Sequence, residues 1–93
     1  MYKRQESLLF KDAKTRIADF VLEQAGKGGR TDAVGNVILR NYLTHQEIAS
    51  YTGTSRQTVT TVLNQFREAG LLDFDRRTFT IRKLNELKQV GVS

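Results

Sequence analysis

The sequence contains no cysteine and no proline, and it has a single histidine. The absence of cysteine excludes disulfide scaffolds, zinc fingers and thiol chemistry. With only one histidine, a transition-metal site built from protein side chains is not expected. No apolar run approaches the roughly 20 residues that a membrane-spanning helix needs, and the N-terminal residues lack the apolar core of a signal peptide. We therefore expect a cytoplasmic chain with no bound metal and no membrane contact.

The chain carries a surplus of positive charge. Its 93 residues include 15 Lys and Arg against 10 Asp and Glu, which makes the net charge +5. A chain of this length forms one domain, and the charge makes a polyanion the first partner to consider. The acidic residues are scattered and no nucleophile–base pattern is visible, so we expect no enzymatic activity and no catalytic residues.

Hydrophobic periodicity predicts a helix over residues 7–25. Its apolar positions at helical spacing are Phe10, Ala13, Ile17, Phe20 and Val21. Asp12 is a candidate N-cap that would divide this stretch in two, and periodicity leaves both possibilities open. Gly26 is predicted to end the helix. The glycine-rich residues 26–35 are then a loop, and they lack the Walker pattern because the predicted helix precedes them.

A helix-turn-helix is predicted after a short β-branched strand at residues 37–43. Thr44 and Glu47 form a capping box, so a helix begins there. Residues 51–54 are the predicted turn, in which Gly53 allows a positive φ. The second helix begins at Ser55, and its apolar stripe is Val59, Val62, Leu63 and Phe66. Ala49 is the small residue where the two helices approach. An ordinary helical hairpin would show the same spacing and remains the alternative.

The outer face of the second helix carries hydrogen-bonding groups and no acid up to Asn64. At about 100° per residue, the positions opposite the apolar stripe and on its flanks are Arg56, Gln57, Thr58, Thr60, Thr61, Asn64 and Gln65. Arg pairs with guanine, Gln and Asn pair with adenine, and the Thr methyl contacts the thymine methyl. The pattern predicts that Arg56, Gln57, Thr60 and Thr61 read DNA bases. A solvated polar face is the alternative.

Beyond this helix the hydrophobic period changes to two, which predicts a hairpin over residues 71–82. The alternating apolar positions are Leu72, Phe74, Phe79 and Ile81. With Arg76 and Arg77 as the turn, all four face one side in two cross-strand pairs. The hairpin is interpreted as a wing whose two arginines bind the phosphate backbone. The alternative is a hairpin that only completes the core.

Apolar side chains also mark both ends of the chain. Leu84, Leu87 and Val90 predict a short final helix that covers the core. Leu8, Leu9 and Phe10 form an apolar face near the start of the chain, and a partner helix and core packing are equally compatible with that face.

Residues 43–49 read Leu-Thr-His-Gln-Glu-Ile-Ala, and residues 53–59 read Gly-Thr-Ser-Arg-Gln-Thr-Val. These segments resemble the C-terminal DNA-binding domain of the Crp/Fnr family of bacterial transcription regulators, and the resemblance extends over about residues 10–90. It implies an α+β fold, mainly helical, of the winged helix-turn-helix type with small antiparallel β hairpins. It also implies that residues 1–10 are the tail of a dimerisation helix and 11–93 the DNA-binding domain, with the helix-turn-helix at 44–69 and the wing at 71–82.

The resemblance implies roles for individual residues. Ser55 and Thr58 would hold phosphates at the start of the second helix, and Arg56 would read a base, guanine by preference. His45 and Gln46 would contact the DNA backbone from the first helix. For His45 the alternative is an exposed neighbour of the helix cap.

Three positions depart from the family pattern. Well-studied members have Glu where Gln57 stands and Arg where Thr61 stands, so the DNA half-site should differ from the familiar one. Thr52 replaces an aliphatic residue of the turn. Its hydroxyl would cost about 1 kcal/mol if it were buried without a hydrogen-bond partner.

The predicted function is sequence-specific binding of double-stranded DNA in transcription regulation, with residues 55–69 in the major groove and the wing on the phosphate backbone. The alternative is a winged helix that binds proteins and not DNA. The resemblance implies that an N-terminal sensor domain, missing from this sequence, binds a cyclic nucleotide or another effector, so no cofactor is expected in this chain. RNA polymerase is a further candidate partner. The intact protein would be a homodimer, and this stretch alone a monomer or a weak dimer.

Overall fold

The computed structural model describes residues 2–40, 44–75 and 78–91, and the side chains from Asp12 onward. The helices are α1 (Tyr2–Gly28), α2 (His45–Thr52), α3 (Arg56–Glu68) and α4 (Leu84–Gly91). The strands are β1 (Arg30–Thr31), β2 (Val37–Arg40), β3 (Leu72–Phe74) and β4 (Thr78–Ile81). The predicted α+β, mainly helical architecture with small antiparallel hairpins is confirmed.

Helix α1 is longer than predicted and is not divided at Asp12. The Asp12 carboxylate lies 3.0 Å from Nε of Arg16, one helical turn further along the same helix. The prediction that Gly26 ends the helix is also wrong, since helical hydrogen bonding continues until the Gly29 amide donates to the Ala25 carbonyl over 2.8 Å. A glycine ends a helix when it adopts a left-handed conformation, and Gly26 does not have a positive φ.

The four strands form one antiparallel sheet in the order β1-β2-β4-β3. Strands β3 and β4 are the wing, and their register is the predicted one, with Leu72 opposite Ile81 and Phe74 opposite Phe79. The other edge of β4 pairs with β2, where Val37 lies opposite Ile81. The wing is therefore hydrogen-bonded to the rest of the domain and does not project as an isolated hairpin.

Strand β1 lies in the segment that was predicted to be a loop, so this part of the prediction is wrong. Thr31 pairs with Val37 across the hairpin. Asp32 closes its turn, because its Oδ1 accepts from the amides of Val34 (3.0 Å) and Asn36 (2.9 Å). Both β1 residues are exposed, so no alternation of apolar and polar residues marks the strand in the sequence.

The core lies between α1, the helix-turn-helix and the inner face of the sheet. The predicted stripe of α3 is wholly buried, and α4 buries Leu87 against the same core. The largest fully buried side chains are Phe66, Ile17, Ile48, Leu63, Leu72, Ile81, Leu87, Val21, Val59 and Val62. Each contributes about 1.5–3 kcal/mol relative to exposure, and together they fix α3 against the domain with its polar face outward.

Several predictions fall outside the described residues. They concern the side chains of Leu8, Leu9 and Phe10, the end of the predicted strand at residues 41–43, and the wing-tip residues Arg76 and Arg77. Within the part of the chain that the structure describes, no helix has the length and hydropathy needed to cross a bilayer.

Candidate nucleic-acid interface

The predicted capping box at the start of α2 is present. Thr44 has extended backbone angles, its Oγ1 accepts from the Glu47 amide over 3.1 Å, and Oε1 of Glu47 accepts from the Thr44 amide over 3.0 Å. These two bonds satisfy amides that a helix start leaves without partners. The cap therefore sets the position at which α2 begins, with His45 and Gln46 in its first turn.

The turn between α2 and α3 is shorter than the predicted residues 51–54, because α2 continues to Thr52. Gly53 has a φ of 70°, which confirms its predicted conformation. The Thr52 hydroxyl is buried and donates to the Ile48 carbonyl over 2.7 Å, and it lies 3.0 Å from the hydroxyl of Thr54. The condition for an energetic penalty at Thr52 is thus not met, since the hydroxyl has partners.

Helix α3 begins at Ser55, as predicted. Ser55 is the N-cap, and its Oγ accepts from the Thr58 amide over 3.1 Å and lies 2.8 Å from the Thr58 hydroxyl. The first turn of α3 contains no acidic residue. A helix start carries partial positive charge and outward-directed amides, so this end of α3 favours an anion.

The outer face of α3 has the predicted composition and exposure. Arg56, Gln57 and Thr61 are exposed, while Thr60 and Asn64 are half-buried. The four apolar stripe residues on the opposite side are all buried. The periodicity of the sequence therefore identified the outward residues correctly, although exposure alone does not assign them to DNA bases.

His45 is half-buried and connects three elements, so the alternative of an exposed cap neighbour is wrong. Its Nδ1 lies 2.8 Å from Oγ1 of Thr60 on α3. Its ring meets the Phe74 ring of β3 edge-on, with the centroids 5.7 Å apart. Burial, and then the positive charge of Arg56, lower the pKa of His45 below the ordinary value for histidine.

The wing is joined to α3 by a contact that sequence reasoning missed. The Arg67 guanidinium lies over the Phe74 ring, 4.5 Å from its centroid. Nη2 of Arg67 also donates to Oδ1 of Asn64 over 2.8 Å. The three-residue spacing of Asn64 and Arg67 places them on one side of a helix, which is the only local signal for the second contact.

Below the wing tip, the two strands are closed by hydrogen bonds. The Asp75 amide donates to the Thr78 carbonyl over 3.0 Å, and the Thr78 amide donates to Oδ1 of Asp75 over 2.9 Å. The described part of the wing thus ends in a closed pair of residues directly before the predicted arginine tip. No group of three or more His, Asp or Glu side chains that could hold a metal ion occurs among the described residues.

A family model described as a Crp-like helix-turn-helix domain matches residues 15–90. The structure of the CO-dependent transcription factor CooA from Carboxydothermus hydrogenoformans is similar, with a TM-score of 0.82 and 38% identity over 90% of this chain and 38% of that chain. A CRP/FNR family transcriptional regulator from Thermus thermophilus has a TM-score of 0.75 and 29% identity over 99% of this chain and 46% of that one. For the catabolite activator protein of the same organism, the values are 0.77 and 26% over 96% and 38%. No curated protein sequence matches.

The chain spans less than half the length of these three structures. Their common fold is the one described above: a helix-turn-helix packed against a small antiparallel sheet with a wing. Since the family model covers most of the sequence, this chain belongs to the family of Crp-like helix-turn-helix domains.

Proposed function

We propose that the domain binds double-stranded DNA sequence-specifically in transcription regulation, with α3 in the major groove. The observation that carries the proposal is the outer face of α3, where Arg56, Gln57 and Thr61 are exposed and the first turn lacks acid. The major groove admits one α-helix, and these side chains match the hydrogen-bonding groups on its base edges.

The base-reading roles are proposed for Arg56, Gln57, Thr60 and Thr61. Arg56 lies in the first turn of α3, which enters the groove first in this class of motif, and it is assigned to guanine. Gln57 and Thr61 are the positions at which the chain departs from well-studied relatives, so they are expected to change the half-site.

The phosphate contacts are proposed for the groups around the start of α3 and for the wing. Ser55 and Thr58 lie at the positive end of that helix. His45 and Gln46 occupy the first turn of α2. Arg76 and Arg77 complete the set at the wing tip. Phosphate contacts position the domain on the duplex and supply most of the non-specific affinity.

A domain that binds protein with the outer face of α3 should present large apolar side chains there. Among the described residues, the exposed large hydrophobic side chains are Val34 and Tyr51, and neither belongs to α3. DNA binding is therefore the better supported function. RNA polymerase remains a proposed partner without an assigned surface, and no catalytic role is proposed.

In a longer protein, we propose that a sensor domain and a second copy of the chain complete the regulator. Its relatives are more than twice as long as this chain. One helix-turn-helix reads only a few base pairs, and symmetric regulators place two recognition helices about 34 Å apart on a palindrome. The isolated domain is accordingly expected to be monomeric or weakly dimeric, and to bind DNA weakly.

Selection of bound sequences from random duplex DNA, followed by binding assays of variants, tests the proposal. Arg56→Ala should cost about 1–3 kcal/mol on the selected site and remove discrimination at one base pair. Arg30→Ala is the matched control, because Arg30 is exposed on β1 at the far edge of the sheet. Contact with four to six phosphates would make the log–log salt slope about −4 to −5. Equal losses for Arg56→Ala on selected and random DNA, or affinity that is independent of salt, would contradict the proposal.

A further inference from the structure

The hydroxyl of Thr60 takes part in two contacts inside the domain. Its Oγ1 donates to the Arg56 carbonyl, one turn earlier in α3, over 3.1 Å. The same oxygen lies 2.8 Å from Nδ1 of His45, which is 15 residues away at the start of α2. A residue predicted to read a base thus has its polar group engaged within the protein.

The number of available protons decides the direction of the second bond. A hydroxyl has one proton and two acceptor lone pairs. Because the Thr60 proton is directed at the Arg56 carbonyl, the bond to His45 must be donated by the imidazole. The ring is therefore the Nδ1–H tautomer, with Nε2 carrying the lone pair when the ring is neutral. The lowered pKa of His45 is consistent with a neutral ring.

The imidazole also selects the rotamer of Thr60. A threonine in a helix divides between two χ1 rotamers, because its hydroxyl can bond carbonyls of the preceding turn. A donor at Nδ1 of His45 favours the rotamer in which the hydroxyl faces α2. The His45 ring is itself held by the edge of the Phe74 ring, so its orientation does not depend on DNA.

We propose that His45 is a positioning residue which turns the Thr60 hydroxyl inward, so that Thr60 reads thymine through its methyl group. This inference depends on the proposed function, since it requires that α3 enters the major groove. Thymine is the base that presents a methyl group in that groove, and a threonine methyl contacts it. A Thr60 hydroxyl free to bond DNA would not make this distinction, because hydroxyls can pair with several base edges.

Replacement of each thymine of the selected site by deoxyuridine tests the methyl contact, because it removes only the 5-methyl group. At one position the wild-type domain should lose about fourfold in affinity, the factor expected for one buried methyl group. Thr60→Ser, which keeps the hydroxyl and lacks the methyl, should bind both duplexes equally. Thr60→Val, which keeps a methyl, should retain the difference. Equal affinity of the wild type for all substituted duplexes, or a full difference in Thr60→Ser, would overturn the inference.

The role of His45 is tested by a pair of variants. His45→Asn retains an amide donor near the position of Nδ1, whereas His45→Ala has none. The fourfold difference should survive in His45→Asn and shrink in His45→Ala, while the two variants bind random DNA alike. Identical loss in both would assign His45 a structural role only and reject positioning.

The tautomer gives a measurement that does not involve DNA. Nitrogen-15 NMR of the free domain should show the proton of the neutral imidazole on Nδ1. A proton on Nε2 would overturn the inference and leave the DNA-binding proposal intact. Failure to select any sequence would reject the proposed function itself, and the methyl contact with it.

Discussion

The Arg67 guanidinium lies over the ring of Phe74, 4.5 Å from its centroid, and so joins the end of α3 to the wing. Phe74 also meets the ring of Phe79 on β4, with the centroids 5.9 Å apart, and the ring of His45 at the start of α2. One half-buried aromatic side chain therefore contacts both helices of the helix-turn-helix and the opposite strand. This arrangement holds the wing at a defined distance from the outer face of α3.

Phe74→Ala is expected to lower the free energy of unfolding by about 2 kcal/mol. The side chain is half-buried, so the loss should lie below the 3–5 kcal/mol typical of a fully buried phenylalanine. Tyr51→Ala is the control, because Tyr51 is 70% exposed although it stacks on Phe20, and its loss should stay below about 1 kcal/mol. Chemical denaturation measures both, and an equal or larger loss for Tyr51→Ala would show that the Phe74 contacts do not stabilise the domain.

Gly26→Ala and Gly29→Ala should shift stability in opposite directions. Gly26 lies within α1 with no atom near a Cβ added there, so alanine should stabilise the domain by about 0.5–1 kcal/mol. A Cβ on Gly29 would lie 2.5 Å from the Ala25 carbonyl oxygen and 2.6 Å from Cγ1 of Val37, so alanine should destabilise it by about 1–3 kcal/mol. Thermal unfolding of the two variants gives the signs, and a shift in the same direction would refute the packing of α1 against β2.

Thr52→Val should destabilise the domain by about 1 kcal/mol, the net contribution of a hydrogen bond. Valine keeps the shape of threonine but loses the donor to the Ile48 carbonyl and the contact with the Thr54 hydroxyl. Thr61→Val on the exposed face of α3 is the matched control and should change stability by less than about 0.5 kcal/mol. Urea denaturation compares them. A stabilised Thr52→Val variant would mean that burial of the extra methyl outweighs the lost hydrogen bonds.

Acid should destabilise the domain in part through His45. Its pKa in the folded domain lies below the ordinary histidine value, so the unfolded chain binds a proton more readily than the folded one. Stability from this group is present at neutral pH and falls as the pH drops below about 6.5, the ordinary pKa of histidine. The free energy of unfolding between pH 7 and pH 5 should therefore fall more steeply in the wild type than in His45→Asn. Parallel curves would place the acid sensitivity in the carboxylates alone.

Features that depend on near neighbours in the chain could be predicted from the sequence. The capping box at Thr44, the apolar stripe of α3 and the register that pairs Phe74 with Phe79 all follow the predicted pattern. Caps and helical stripes connect residues a few positions apart, and strand register follows from alternation around one turn. The outward residues of α3 were identified for the same reason, because a buried stripe fixes the opposite face.

Contacts between distant elements were decided only by the tertiary structure. The approach of His45 to Thr60, and of Arg67 to Phe74, depends on how α2, α3 and the wing pack. No periodicity in the sequence encodes those distances. The path of α1 through Gly26 and the pairing of β1 with β2 belong to the same group, since neither has a local signal stronger than the tertiary contacts around it. The sequence by itself determined which side chains face outward on α3, and the packing of three separate elements determined which of their polar groups remain free for a partner.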